Sequence, residues 1–143
     1  MATAYYSHPD CAAHDMGRGH PECPERLAAI GDHLLATGLD VALDQRDAPL
    51  VDLAELDLAH DTRYVAEISD RMRQAEASGE PRAVDPDTVL CPATWKAARR
   101  AAGAAVAATD AVIHGEVDNA FCAVRPPGHH ATRNPAKRFC LFH

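Results

Sequence analysis

One stretch constrains this chain more than any other. A continuous apolar run, Ala120-Phe121-Cys122-Ala123-Val124, passes directly into Arg125-Pro126-Pro127-Gly128-His129-His130. The run (Asn119 to Val124) reads as a buried strand. Before it, Thr94 to His114 reads as a helix that Thr94 caps and Gly115 ends. Its interior is nearly all small residues, from Ala97 to Ala108, which lets it pack close against a sheet. Strands alternating with helices predict a parallel α/β sheet, and ligands of such sheets collect at the carboxyl ends of the strands. The corner after Val124 is therefore the first place to look for chemistry. Two prolines stiffen it, and Gly128 permits a conformation closed to other residues. Adjacent side chains on a regular strand point to opposite faces. His129 and His130 can share one pocket only if the backbone leaves strand geometry, and Pro-Pro-Gly is suited to force that. Imidazole titrates near neutrality, so the pair can divide base and acid work. The competing reading is a polar turn with solvent-facing histidines; the strand, the prolines and the position together weigh against it.

The rest of the chain fits one α/β domain. It has 143 residues, 47% apolar and 24% charged, with 29 alanines, enough for a core but with thin side chains to fill it. Ala4 to Ser7 is a candidate strand, and His8 to Cys23 a loop dense in His, Cys, Gly and Pro. A helix follows from Pro24 at its first position, with Leu27, Ile30, Leu34 and Leu35 on one face and Gly38 as its stop. Val41-Ala42-Leu43 reads as a second strand, and Asp52-Leu53-Ala54-Glu55 as a capping box. A further helix from Asp61 or Thr62 carries Tyr64, Val65, Ile68 and Met72 and ends at Ser78-Gly79-Glu80-Pro81, with loop continuing through Asp85-Pro86-Asp87-Thr88.

Several classes are disfavoured. A net charge of −7 argues against nucleic-acid or membrane-surface binding, and no apolar run approaches the roughly 18 residues of a membrane span. Met1 to Pro9 lacks the features of a signal peptide. Five cysteines (Cys11, Cys23, Cys91, Cys122, Cys140) form no CxxC pair, which suits a reducing cytoplasm. The three serines lie outside any G-x-S-x-G, and there is no glycine-rich phosphate loop. A cysteine nucleophile, Cys122 or Cys140 beside the tandem histidines, has no local signature; Cys122 reads as a small apolar strand residue.

Asp118 to Ala131, with its VRPPGHHA core, resembles the signature of the histone deacetylase superfamily, which includes acetoin-utilisation proteins and acetylpolyamine amidohydrolases. His14-Asp15-Met16-Gly17-Arg18-Gly19-His20-Pro21-Glu22-Cys23-Pro24-Glu25-Arg26-Leu27 resembles that family's first loop, and His60-Asp61-Thr62-Arg63-Tyr64-Val65 and Asp87-Thr88 fall in the expected order. The tone is nearest to class II-like bacterial members. The resemblance implies an arginase/deacetylase-like parallel sheet with flanking helices, of which residues 1–143 are the N-terminal portion. It implies a cytoplasmic zinc-dependent hydrolase of N-acetyl-lysine, acetylpolyamine or a related acetylated amine. By the same resemblance His130 is the general base and later the acid, and His129 tunes it. Phe139 lines the channel for the acyl-lysine stem, Arg26 sits at the inner end of the pocket, and His20, Pro21 and Gly128 shape its wall. Core packing for Phe139, and a surface ion pair with Glu22 or Glu25 for Arg26, remain open alternatives.

The pattern departs from the family in three ways. Lys137-Arg138 stand where a Met-Gly or similar pair is usual, and Arg138 could then block or charge the channel. The family continues Phe-Cys-x-Phe-Asn-Asn, whereas here Phe139-Cys140-Leu141-Phe142 is followed by His143. The family's zinc ligands, an Asp-x-His pair and a later Asp, and its assisting tyrosine have no counterpart up to His143. The expectation is a domain truncated at its C-terminus, an inactive fragment that binds no catalytic zinc itself and leaves the last strand's edge exposed. The alternative is a small metal- or partner-binding module using His8, Cys11, His14, His20 and Cys23.

Overall fold

The computed structural model describes residues 2–134, 136 and 138–143. Three parallel strands form the main sheet: β1 (Thr3–Ser7), β2 (Leu43–Asp47) and β5 (Asn119–Cys122), in the order β2-β1-β5. Tyr5 sits opposite Gln45 on one side and Phe121 on the other. Helices α1 (Pro9–Ala13), α2 (Glu25–Thr37), α3 (Leu53–Ala59), α4 (Thr62–Ser78) and α5 (Thr94–Ile113) surround it, and β3 (Arg82–Asp85) and β4 (Thr88–Leu90) make a separate antiparallel hairpin. This is the parallel α/β arrangement expected. Among the described residues no helix is long and apolar enough to cross a membrane.

The alanine-rich α5 positions the site. One stripe, Ala104, Ala108 and Ala111, packs with Ala4, Tyr6 and Val117 of the sheet layer. Near its start, Ala98 joins Tyr64, Val65, Ile68 and Met72 of α4 and Leu141 and Phe142 in a second apolar cluster. Small side chains let backbone approach backbone: a Cβ on Gly103 would lie 2.1 Å from Pro49 O. Val51 N–H donates to Arg99 O at 3.1 Å across the same contact. At α3, the Glu55 side chain accepts from Asp52 N–H at 3.0 Å, completing the capping box.

Local expectations fail at five places. The His8–Cys23 loop contains a helical turn, α1, because the His8 Nδ1 accepts from Asp10 N–H and Pro9 occupies the first turn. Val41 and Ala42 lie in a 3-10 turn (Asp40–Ala42), with β2 beginning only at Leu43. The Asp85–Thr88 loop is the tip of a hairpin, tied by Asp87 N–H and the Thr88 hydroxyl donating to Asp85. Thr94 is the first residue of α5 rather than its cap; its Oγ1 accepts from Cys91 N–H instead. β5 is only half-buried, and on one face: Ala120 and Cys122 are partly covered, while Phe121 is 51% exposed and stacks on Tyr5 at 6.0 Å. Likewise no residue of α2 is fully buried, and Leu35 is 66% exposed. An open apolar groove of about 570 Å³ runs between α2 and the sheet, lined by Ile30, Leu34, Leu43, Tyr5 and Phe121.

Candidate active site

The corner after β5 is anchored from below by a buried ion pair. Arg125 has no solvent exposure, and its guanidinium meets the Glu22 carboxylate through two bonds, 2.5 and 2.8 Å. It also donates to Cys11 O (3.2 Å) and His14 O (2.7 Å). Such a fork satisfies both partners in a dry site. It fixes the start of the Pro-Pro-Gly-His-His turn to the first loop. The Arg125–Pro126 peptide is cis.

Above this anchor the two imidazoles converge. The His129 and His130 ring centroids are 4.2 Å apart and tilted by 60°. His129 is exposed and His130 half-buried, with His130 N–H donating to Cys140 Sγ at 3.4 Å. Gly128 serves this turn by close approach and not by a left-handed φ, contrary to the conformational role expected for it: a Cβ there would lie 2.2 Å from Phe142 O. Burial raises the Cys140 thiol, more than the His130 and Ala131 N–H groups lower it, so it stands protonated beside the histidines.

Phe139 forms the wall facing the pair. Its ring meets His130 edge-on at 5.9 Å and His20 edge-on at 5.7 Å. It is half-buried, so simple core packing does not describe it. Arg138 and Phe139 both lie in the left-handed region, with φ of 49° and 57°. That position 138 takes positive φ explains physically why a glycine suits it. The Arg138 side chain is exposed; Lys137 lies outside the described residues. Phe139 N–H donates to Thr88 Oγ1 at 2.9 Å, and the Thr88 hydroxyl in turn donates to Asp85.

Pro21, Glu22, Arg26, Val124, Pro127, Gly128, His129 and Phe139 line one open cleft of about 640 Å³. Every residue nominated for amide hydrolysis thus lies in this cleft or, for His20 and His130, in ring contact with Phe139. Arg26 makes neither anticipated surface pair: its Nη2 donates to Val124 O at 2.7 Å, while Glu22 is committed to Arg125. His20 is fixed by its Nδ1 accepting from Glu22 N–H at 3.1 Å and by Nε2 against Asp87 O at 3.2 Å.

Sequence reasoning missed the supports. The Arg125–Glu22 pair carried no local signal, since its partners are 103 residues apart, and Thr88 was read only within a loop and a family motif, not as the partner of Phe139. His60, also read only within a family motif, is another. It is buried, its Nε2 accepts from His143 N–H at 2.7 Å, and its ring packs on Tyr64 and Phe142. Tyr64 Oη donates to Leu141 O at 2.6 Å, and burial pushes that phenol well above its usual range. Together they clasp the segment that carries Phe139.

The three histidines of the His8–Cys23 loop are occupied separately. His8 caps α1, His14 turns toward Thr94 at 2.9 Å, and His20 holds backbone. Among the described residues no group of three or more His, Cys, Asp or Glu side chains is placed to hold a metal ion, so the donor set present does not fit the zinc site that the family resemblance implies.

Comparison with known proteins identifies the family. Residues 20–143 match the model of the histone deacetylase domain. The chain is 35% identical over 147 residues to the human polyamine deacetylase HDAC10, covering 99% of this chain and 22% of that one. It is 36% identical over 124 residues to the histone deacetylase-like amidohydrolase of Pseudomonas aeruginosa, covering 87% of this chain and 31% of the relative. The crystal structure of the HDA15 HD domain superposes with a TM-score of 0.86 at 28% identity, covering 98% of this chain and 39% of that one. The chain therefore spans well under half the length of these relatives. Paired imidazoles on a rigid corner after a parallel strand, a family model that matches most of the chain and a shared arginase/deacetylase fold converge: this chain belongs to the histone deacetylase family.

Proposed function

We propose that residues 1–143 form the N-terminal portion of a single deacetylase-like domain and contribute the imidazole pair and channel wall of an amide hydrolase. Its substrates are N-acetyl-lysine, acetylpolyamine or a related acetylated amine. The observation that carries the reading is the 4.2 Å approach of His129 and His130 in a cleft walled by Phe139. In this reading His130 accepts a proton from the attacking water and returns it to the departing amine. His129 steadies the charge that develops during attack. Phe139 and His20, with rings 5.7 Å apart, grip the apolar stem of the substrate. Arg26 closes the inner end. The zinc that the family uses would be held by residues outside this set. The chain by itself is then expected to release no acetate.

The test joins residues 1–143 in frame to the remainder of the Pseudomonas relative's domain and follows acetate released from an acetyl-lysine peptide and from acetylated spermidine. His130→Ala is expected to lower kcat by about 10²–10⁴, the usual worth of a positioned acid–base group, with little change in KM. Equal rates with and without His130 would sink the assignment.

A further inference from the structure

A second cluster of reactive groups lies beneath the first loop, away from the cleft. Cys91, just before α5, has its Sγ 3.7 Å from His14 Nδ1, whose nearer partner is Thr94 Oγ1 at 2.9 Å. The Thr94 hydroxyl and the Asp15 N–H both donate to the same sulfur at 3.4 Å, and the Ala13 carbonyl stands 3.8 Å from it. His14 is 1% exposed, and among the described residues its Nε2 has no hydrogen-bond partner, the Glu22 carboxylate standing 3.9 Å off. Arg125, Glu22, His14 and Cys91 thus lie in series through the buried core. Two donors to one sulfur, with an imidazole bonded to the donating Thr94 hydroxyl and itself within 3.7 Å, favour a thiolate there. Three other thiols differ: burial raises Cys11, Cys122 and Cys140.

We propose that Cys91 is a modification site, a His14-paired thiolate that hydroperoxides oxidise to the sulfenic acid. Burial alone would raise this thiol, yet the His14, Thr94 and Asp15 contacts outweigh it and draw it down to about 6. In the reaction the sulfur attacks one peroxide oxygen. An S–O bond forms, the O–O bond breaks, and sulfur loses two electrons to the peroxide. The departing hydroxide takes a proton from solvent and leaves as water, giving the Cys91 sulfenic acid. Cys91 is 8% exposed and is covered by a loop in which Asp15, Gly17, Arg18 and Gly19 are all exposed, so only a small oxidant is required to enter. None of this depends on amide hydrolysis.

The experiment treats the folded 143-residue chain with hydrogen peroxide at pH 7, traps sulfenic acid with dimedone and quantifies each cysteine peptide by mass spectrometry. Cys91 is expected to be trapped ahead of Cys122, which is the more exposed of the two. His14→Gln is expected to slow Cys91 by about fivefold or more, since the thiolate fraction falls by about two orders of magnitude and the more basic sulfur recovers part of this in nucleophilicity. Cys23 serves as the internal control and keeps its rate. Should His14→Gln disturb folding, Thr94→Val and Thr94→Ser decide: Val slows Cys91, Ser keeps it fast. Trapping of Cys122 while Cys91 stays unmodified, or unchanged Cys91 rates in His14→Gln and Thr94→Val, overturns the proposal.

Discussion

Replacing Arg125 by Met tests how the candidate corner is held. The guanidinium is wholly buried and satisfies four acceptors: both Glu22 oxygens, Cys11 O and His14 O. Met keeps most of the volume and removes every donor. Glu22 then remains as a carboxylate with only His14, 3.9 Å away, as a candidate partner. Breaking one side of a buried pair costs about 3–5 kcal/mol, because the uncompensated charge stays out of water. With a urea slope of about 2 kcal/mol per M, the unfolding midpoint should fall by roughly 1.5–2.5 M. The assay is urea unfolding followed by far-UV circular dichroism and Trp95 fluorescence. Arg125→Met with Glu22→Gln should recover part of the loss, because the stranded charge is gone, giving a coupling of about 2 kcal/mol in the double-mutant cycle. A cycle additive to within about 0.5 kcal/mol would show that the fork does not hold the corner.

Three further outcomes are expected. Arg138→Gly should stabilise the chain by about 1 kcal/mol, since a non-glycine residue at φ 49° carries backbone strain that glycine relieves; thermal melting reads it, and a lowered Tm refutes it. Gly103→Ala should destabilise by about 1–3 kcal/mol despite the better helix propensity of alanine, because its Cβ meets Pro49 O at 2.1 Å and Val51 N at 2.8 Å; urea titration checks the sign. Burial holds the His60 imidazole below its usual 6.5, so the unfolded chain takes up that proton first. The contribution of His60 is then full above about pH 6.5 and is lost as pH falls through the folded value. Melting temperatures recorded from pH 7.5 downward should drop less steeply in His60→Gln than in the parent chain.

The periodic elements were legible because their signals are local. Tyr64, Val65, Ile68 and Met72 announce the buried face of α4, and the alanine run announces α5. The site was legible for a different reason: VRPPGHHA is contiguous, so the residues that must meet are already neighbours. Where neighbours along the chain did not decide, the sequence misled. Cys122 and Phe121 belong to one apolar run, yet only one face of β5 has α5 behind it while Phe121 stays 51% exposed. Asp85 to Thr88 looked like plain loop because nothing local marks the return of Val89 and Leu90 to pair with Ala83 and Arg82.

By itself, then, the order of residues determined the strand–helix alternation, the stiff corner and the pair of imidazoles upon it. It did not determine that the rings converge, that Arg125 is clamped by Glu22 103 residues earlier in the chain, or that His14 faces Cys91 across 77. Those juxtapositions follow from burial. Polar groups removed from water must find partners wherever packing brings them, and that placement is a property of the assembled core rather than of any segment.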